Sequence, residues 1–193
     1  PSIVHPPVET TGVDEGVLSL FCEANVKLPI VWTKGGRTIT STQRRYDVVE
    51  YNDGRASQLR IDPLRRHDDD TFTCRLENPE DGTVVEASAP VNVIAEDNLP
   101  DGFPTITQHP QLKAVEKGHT AVLVCSARGD PDPEITWLKD MVPVDMADSR
   151  IKLLGSGSLQ INSVTEEDEG RYECVATSGL GTRYSYPANL YVR

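Results

Sequence analysis

An all-β chain of two tandem sandwich domains is predicted by three observations. The length of 193 residues exceeds the usual single-domain size of about 100 to 150 and divides into two parts of about 95. One order of motifs is written twice along the chain. The segments around those motifs alternate apolar and polar residues with the period of a strand.

Each copy runs strand, cysteine, tryptophan, strand, Leu-x-Ile, aspartate, aromatic, cysteine. The first opens on Leu18-Ser19-Leu20-Phe21-Cys22, places Trp32 on the next strand, and continues through Leu59-Arg60-Ile61 to Asp68-Asp69-Asp70-Thr71-Phe72-Thr73-Cys74. Val91 and Val93 belong to its last strand. The second opens on Val122-Leu123-Val124-Cys125, turns at Gly129-Asp130-Pro131-Asp132-Pro133, and resumes as Ile135-Thr136-Trp137. Leu159-Gln160-Ile161 and Asp168-Glu169-Gly170-Arg171-Tyr172-Glu173-Cys174 follow, and Tyr184, Pro187, Leu190 and Val192 are read as one last strand. A helical reading fails on both periodicity and proline content.

Tyr172, two residues before Cys174, matches the tyrosine corner of immunoglobulin domains, whose thin core is filled by a tryptophan packed on an inter-sheet cystine. The expected fold is two tandem immunoglobulin-like sandwiches of the I-set kind: the first over residues 1–97, a short linker over 98–104, and the second over 105–193. Trp32, Phe72, Trp137 and Tyr172 are the structural core residues. In the first copy Phe72 replaces the corner tyrosine, so the corner hydrogen bond is lost there. Arg45 with Asp68, and Arg150 with Asp168, stand where such domains bridge the base of the sandwich with an ion pair. Pro100 and Pro104 stiffen the linker, whose Leu99 and Phe103 offer apolar side chains that can wedge between the domains.

Four cysteines are either a metal set or two disulfides, and their spacing decides. No two lie within five residues of each other, so the knuckles of a structural zinc site are missing. Cys22 pairs with Cys74 and Cys125 with Cys174, which places the chain in an oxidising compartment. Neither a charged leader nor an apolar run of 18 residues occurs, so a signal peptide or membrane span is expected outside this sequence.

The candidates for chemistry are few. His5, His67, His109 and His119 are scattered, and solvated loops account for them better than ligation does. The acidic run Asp68-Asp69-Asp70 lacks the spaced ligands, glycine and distal glutamate of a calcium loop. No catalytic residue, metal or cofactor is expected. Asn-x-Ser/Thr is absent, which leaves the surface clear of N-glycans.

The net charge of −11 argues against nucleic acid as a partner of the whole chain. Yet Ala24 to His67 holds nine basic and four acidic residues, a local balance of +5. Lys34 and Arg37 follow the third-strand tryptophan, Arg44 and Arg45 precede the next strand, and Arg65 and Arg66 follow Leu59-Arg60-Ile61. Guanidinium forks bond sulfate as they bond phosphate, so a linear sulfated polysaccharide is the natural polyanion outside a cell. On spacing alone, the same residues also read as a solvated basic face.

Longer runs resemble the first two immunoglobulin domains of the leukocyte-antigen-related (LAR) receptor-type tyrosine phosphatases. They are Leu99-Pro100-Asp101-Gly102-Phe103-Pro104, Pro110-Gln111-Leu112-Lys113, Gly129-Asp130-Pro131-Asp132-Pro133-Glu134-Ile135, Tyr172-Glu173-Cys174-Val175-Ala176-Thr177, Gly181-Thr182-Arg183-Tyr184-Ser185 and Pro187-Ala188-Asn189-Leu190-Tyr191-Val192-Arg193. The resemblance implies the ectodomain of a single-pass neuronal receptor, with its two outer domains folded back on each other in a V. It further implies heparan and chondroitin sulfate proteoglycans and synaptic or cell-adhesion proteins as partners, in axon guidance and synapse formation. In that family a lysine-rich loop after the first tryptophan, joined by arginines nearby, binds the glycosaminoglycan. Lys34, Arg37, and Arg44 or Arg45 match that loop here, Arg65 matches the arginine after the Leu-x-Ile strand, and Arg66 or His67 stands near a second arginine with a one-residue gap. Gly35 and Thr38 stand where the family usually has lysines, which implies weaker or differently tuned sulfate binding. The phosphatase signature His-Cys-x5-Arg is missing from the sequence. An adhesion module that binds proteins, its basic face incidental, is the alternative.

Overall fold

In the computed structural model, which describes residues 1–40 and 42–193, the regular elements are strands and short 3-10 turns. The chain divides into two units, Pro1–Leu99 and Pro100–Arg193. In the first, the strands are β1 (Ile3–His5), β2 (Thr10–Val13), β3 (Leu18–Ala24), β4 (Ile30–Lys34), β5 (Arg37–Thr38), β6 (Tyr46–Tyr51), β7 (Ala56–Ile61), β8 (Asp70–Glu77) and β9 (Val84–Ile94). They form two sheets, ordered β1-β3-β7-β6 and β2-β9-β8-β4-β5. β2 runs parallel to β9, and the other pairs are antiparallel.

The alternation read from the sequence is what faces the two sheets together. Leu18, Leu20 and Cys22 on β3, Leu59 and Ile61 on β7, and Trp32, Phe72 and Cys74 opposite them make one buried cluster. Cys22 is bonded to Cys74 across the sandwich. The Trp32 indole N–H, which would be costly to bury unpaired, donates to the Ser57 hydroxyl at 2.9 Å.

The second unit repeats this plan with β10 (Thr105–Gln108), β11 (Lys113–Val115), β12 (Ala121–Leu123), β13 (Ser126–Arg128), β14 (Glu134–Lys139), β15 (Val142–Pro143), β16 (Ile151–Leu153), β17 (Leu159–Ile161), β18 (Gly170–Ser178), β19 (Gly181–Tyr184) and β20 (Ala188–Val192). β12-β17-β16, with the short pair β10-β13, faces β11-β20-β18-β14-β15. Trp137 lies in the core beside the Cys125–Cys174 cystine, and its indole N–H donates to the Gly157 carbonyl at 2.8 Å. Phe103 is buried under the Arg183 guanidinium, 5.5 Å from the ring centroid.

The last strand of this unit is broken where the sequence read it as continuous. β19 pairs with the C-terminal half of β18 and β20 with its N-terminal half. Between them Ser185 takes both polar groups of Cys174: its N–H donates to the Cys174 carbonyl, and its hydroxyl accepts the Cys174 N–H at 2.9 Å. Pro187, which has no N–H for the ladder, falls in the break.

One turn is built twice, and it closes the base of each sandwich. A fully buried Leu64 or Val164 anchors the chain ahead of a 3-10 turn, Arg66–Asp68 or Glu166–Asp168. The closing aspartate then folds back to accept the backbone N–H of Arg65 at 2.7 Å, or of Thr165 at 2.8 Å.

Candidate functional site

Asp68 is the point on which the basic segments of the first unit converge. Its side chain is completely buried. It accepts bonds from Lys34 Nζ at 3.1 Å, from the two terminal nitrogens of Arg45 at 2.6 and 3.1 Å, and from the Tyr46 hydroxyl. Burial alone would push this carboxyl up; the bonds from Arg45, Tyr46, the Arg65 backbone and Lys34 outweigh it and hold Asp68 well below the usual carboxylate range.

The chain delivers these groups by local rules. Lys34 ends β4 and lies opposite Arg37 across a two-residue turn, Gly35-Gly36, whose φ values of +55° and +83° suit glycine and match the twist of a tight hairpin. A side chain at Gly35 would also meet the Asp70 carboxylate, 2.9 Å from its first carbon. A lysine at this position therefore meets two obstacles in this chain. Arg45 precedes β6, packs its guanidinium 5.1 Å from the centre of the Tyr46 ring, and donates in addition to the Pro63 carbonyl and to His67 Nε2, both at 2.8 Å.

The six residues read from the sequence thus fall into two groups. Lys34 and Arg45 turn inward onto Asp68, with only 19% and 23% of their side chains exposed. Arg37, Arg44 and Arg66 are exposed and, among the described residues, are in no ion pair. Arg65 is intermediate, its guanidinium paired with Glu15. The side chains of Lys34 and Arg45 and the backbone of Arg65 meet at Asp68; Arg44 and Arg66 are their neighbours along the chain, and Arg37 pairs with Lys34 across the hairpin.

Tyr46 is the residue that sequence reasoning missed. In the second unit the corner is made by Tyr172, whose hydroxyl donates to the Asp168 backbone carbonyl at 2.6 Å, while Arg150 forks onto the Asp168 carboxylate at 2.9 and 3.1 Å. In the first, Phe72 is apolar and the hydroxyl comes from another strand to the carboxylate itself. A tyrosine opening the strand after Arg45 was the available signal.

Among the described residues no cluster of three histidine, cysteine or acidic side chains is arranged to hold a metal, and both cystines are closed with no free thiol. No helix of the described residues is long and apolar enough to cross a membrane.

Residues 1–78 and 104–178 match the family described as "Immunoglobulin domain". The receptor-type tyrosine-protein phosphatase F of Mus musculus is 50% identical over 198 residues, covering 100% of this chain and 10% of that protein. The tyrosine-protein phosphatase Lar of Drosophila melanogaster is 42% identical over 196 residues, again covering 100% of this chain and 10% of its own length. The chain spans about a tenth of the curated relatives it matches, and the matched part is their immunoglobulin region, without a phosphatase domain. Among solved structures, the N-terminal Ig1-2 module of the Drosophila receptor protein tyrosine phosphatase DLAR aligns with a TM-score of 0.90 at 41% identity, over 100% of this chain and 98% of that one.

Proposed function

Because this chain belongs to the immunoglobulin-domain family, in its LAR-type receptor phosphatase branch, we propose that it is an extracellular ligand-binding module for sulfated polysaccharides. The ligands are the heparan and chondroitin sulfate chains of proteoglycans, and the roles proposed for the parent receptor are axon guidance, cell adhesion and synapse formation. The observation that carries this reading is that Arg37, Arg44 and Arg66, exposed and in no ion pair among the described residues, belong to the segments whose Lys34, Arg45 and Arg65 meet at Asp68. Each offers a planar fork to a sulfate, and Arg65 adds a fourth when the anion displaces Glu15. Lys34 and Arg45 form the floor beneath them.

Net acidity of the whole chain does not oppose this. Charges farther off than about 8 Å are largely screened at physiological salt, so the local balance governs docking. A labelled heparin oligosaccharide titrated with the chain and followed by fluorescence polarisation tests the reading. Binding that Arg37→Glu, Arg44→Glu and Arg66→Glu together remove supports it, and binding that survives all three rejects it.

Adhesion proteins are the second class of partner proposed. This is favoured by the groove between edge strands β5 and β6, lined by Ile30, Val31, Trp32, Ile39 and Val48, of which Val31 and Val48 are 40% and 47% exposed. An interface there would depend less on salt than a sulfate site does.

A further inference from the structure

We infer that Asp68 limits the strength of the polyanion surface by holding Lys34 and Arg45 out of it; the inference rests on the reading of that surface given above. Two cations and one carboxylate share this centre, so the buried aspartate cancels one charge and turns two basic side chains away from any ligand. The two are not held equally. Arg45 is fixed by Asp68, Tyr46, His67 and the Pro63 carbonyl, whereas Lys34, among the described residues, is held by Asp68 and by the hydroxyl and ring of Tyr46. Lys34 is therefore the cation nearest to release.

The competition explains why it stays inward. Attraction between Lys34 and a fully buried carboxylate is weakly screened, while a sulfate arriving from solvent acts through water and salt. A sulfate group must also break two existing bonds to recruit the ammonium. The arginines Arg37, Arg44 and Arg66 are under no such constraint. Asp68 thus acts as a positioning residue: it sets which cations face the ligand without touching it.

Asp68→Asn in the two-domain chain tests this on immobilised heparin. The expected result is elution at higher NaCl than the parent. The dependence of log affinity on log salt should also steepen by about one, taking over the counterion rule for nucleic-acid polyanions. Lys34→Met placed in the Asp68→Asn background should remove that gain. An Asp68→Asn chain with the parent's near-ultraviolet circular dichroism that elutes with or before the parent overturns the inference.

Loss of a buried partner can also unfold the domain, so a second measurement uses the unaltered chain. Acetylation by an N-hydroxysuccinimide ester, read by mass spectrometry, should label Lys34 more slowly than exposed Lys27. Adding heparin should leave the Lys34 rate where it is. Labelling of Lys34 as fast as Lys27, or protection of Lys34 by heparin, overturns the inference. The comparison with Lys27 needs no ligand, so it separates this inference from the surface reading, which fails if the parent chain passes through heparin unretained at low salt.

Discussion

Tyr46 and Asp68 are joined by a hydroxyl-to-carboxylate hydrogen bond that closes the base of the first sandwich. The second domain closes the same place differently, with the Tyr172 hydroxyl on the Asp168 backbone carbonyl. In both, burial pushes the phenol up, out of reach of physiological pH. The hydroxyls therefore act as permanent donors.

Tyr46→Phe keeps the ring and removes the donor. It should destabilise the first domain by about 1 to 3 kcal/mol, the range for deleting one partner of a buried hydrogen bond. Urea unfolding of the variant against the parent measures it. An unchanged midpoint would mean that the Asp68 centre does not depend on Tyr46.

Acid should loosen both domains from the same cause. Asp68 and Asp168 are held below their ordinary value of 3.8, in spite of burial, by Arg45 and Arg150 respectively and by the backbone of the turn. A carboxyl whose folded pKa lies below its unfolded one contributes stability that is complete above the unfolded value and is lost as pH falls through the folded one. The urea midpoint should accordingly hold from pH 7 to about 5 and fall from about pH 4 downward. Asp168→Asn should flatten the part of that fall belonging to the second domain. A decline that begins near pH 6 would point to histidine instead.

Each cystine spans a long loop, with its cysteines separated by 52 and 49 residues. On the chain-entropy estimate, replacing either pair by alanine should cost its domain about 4 kcal/mol. Thermal unfolding of Cys22→Ala/Cys74→Ala and of Cys125→Ala/Cys174→Ala checks this, with each loss confined to the domain altered.

Gly35→Lys should lower the stability of the first domain by about 1 kcal/mol, because a side chain there must adopt a left-handed backbone and displace Asp70. The melting temperature reads it directly. A variant as stable as the parent would show that the hairpin can rearrange at no cost.

Much of the fold was legible because its signals are local or repeated. The Cys22, Trp32, Leu59-Arg60-Ile61 and Cys74 series, and its second copy, mark inward positions that period-2 strands must bury. The break between β19 and β20 was not legible, since it depends on Ser185 reaching Cys174 on a neighbouring strand. The basic segments could be found by counting charge along the chain. Which side chains face outward could not. Lys34 and Arg45 are separated from Asp68 by 34 and 23 positions, and their inward turn follows from a carboxylate too deeply buried to go unpaired. Charge composition records how many cations a surface holds, not which of them are already neutralised.

The most direct test is retention on immobilised heparin across a sodium chloride gradient. The parent is run beside Arg37→Glu/Arg44→Glu/Arg66→Glu and beside Lys113→Glu/Lys117→Glu/Lys152→Glu, which makes the same charge change at exposed positions of the second domain. The account predicts that the parent and the second-domain variant are retained beyond physiological salt, while the first-domain variant elutes near the void. Equal losses in both variants would reduce the binding to net charge, and a parent that is not retained would contradict the sulfated-polysaccharide reading.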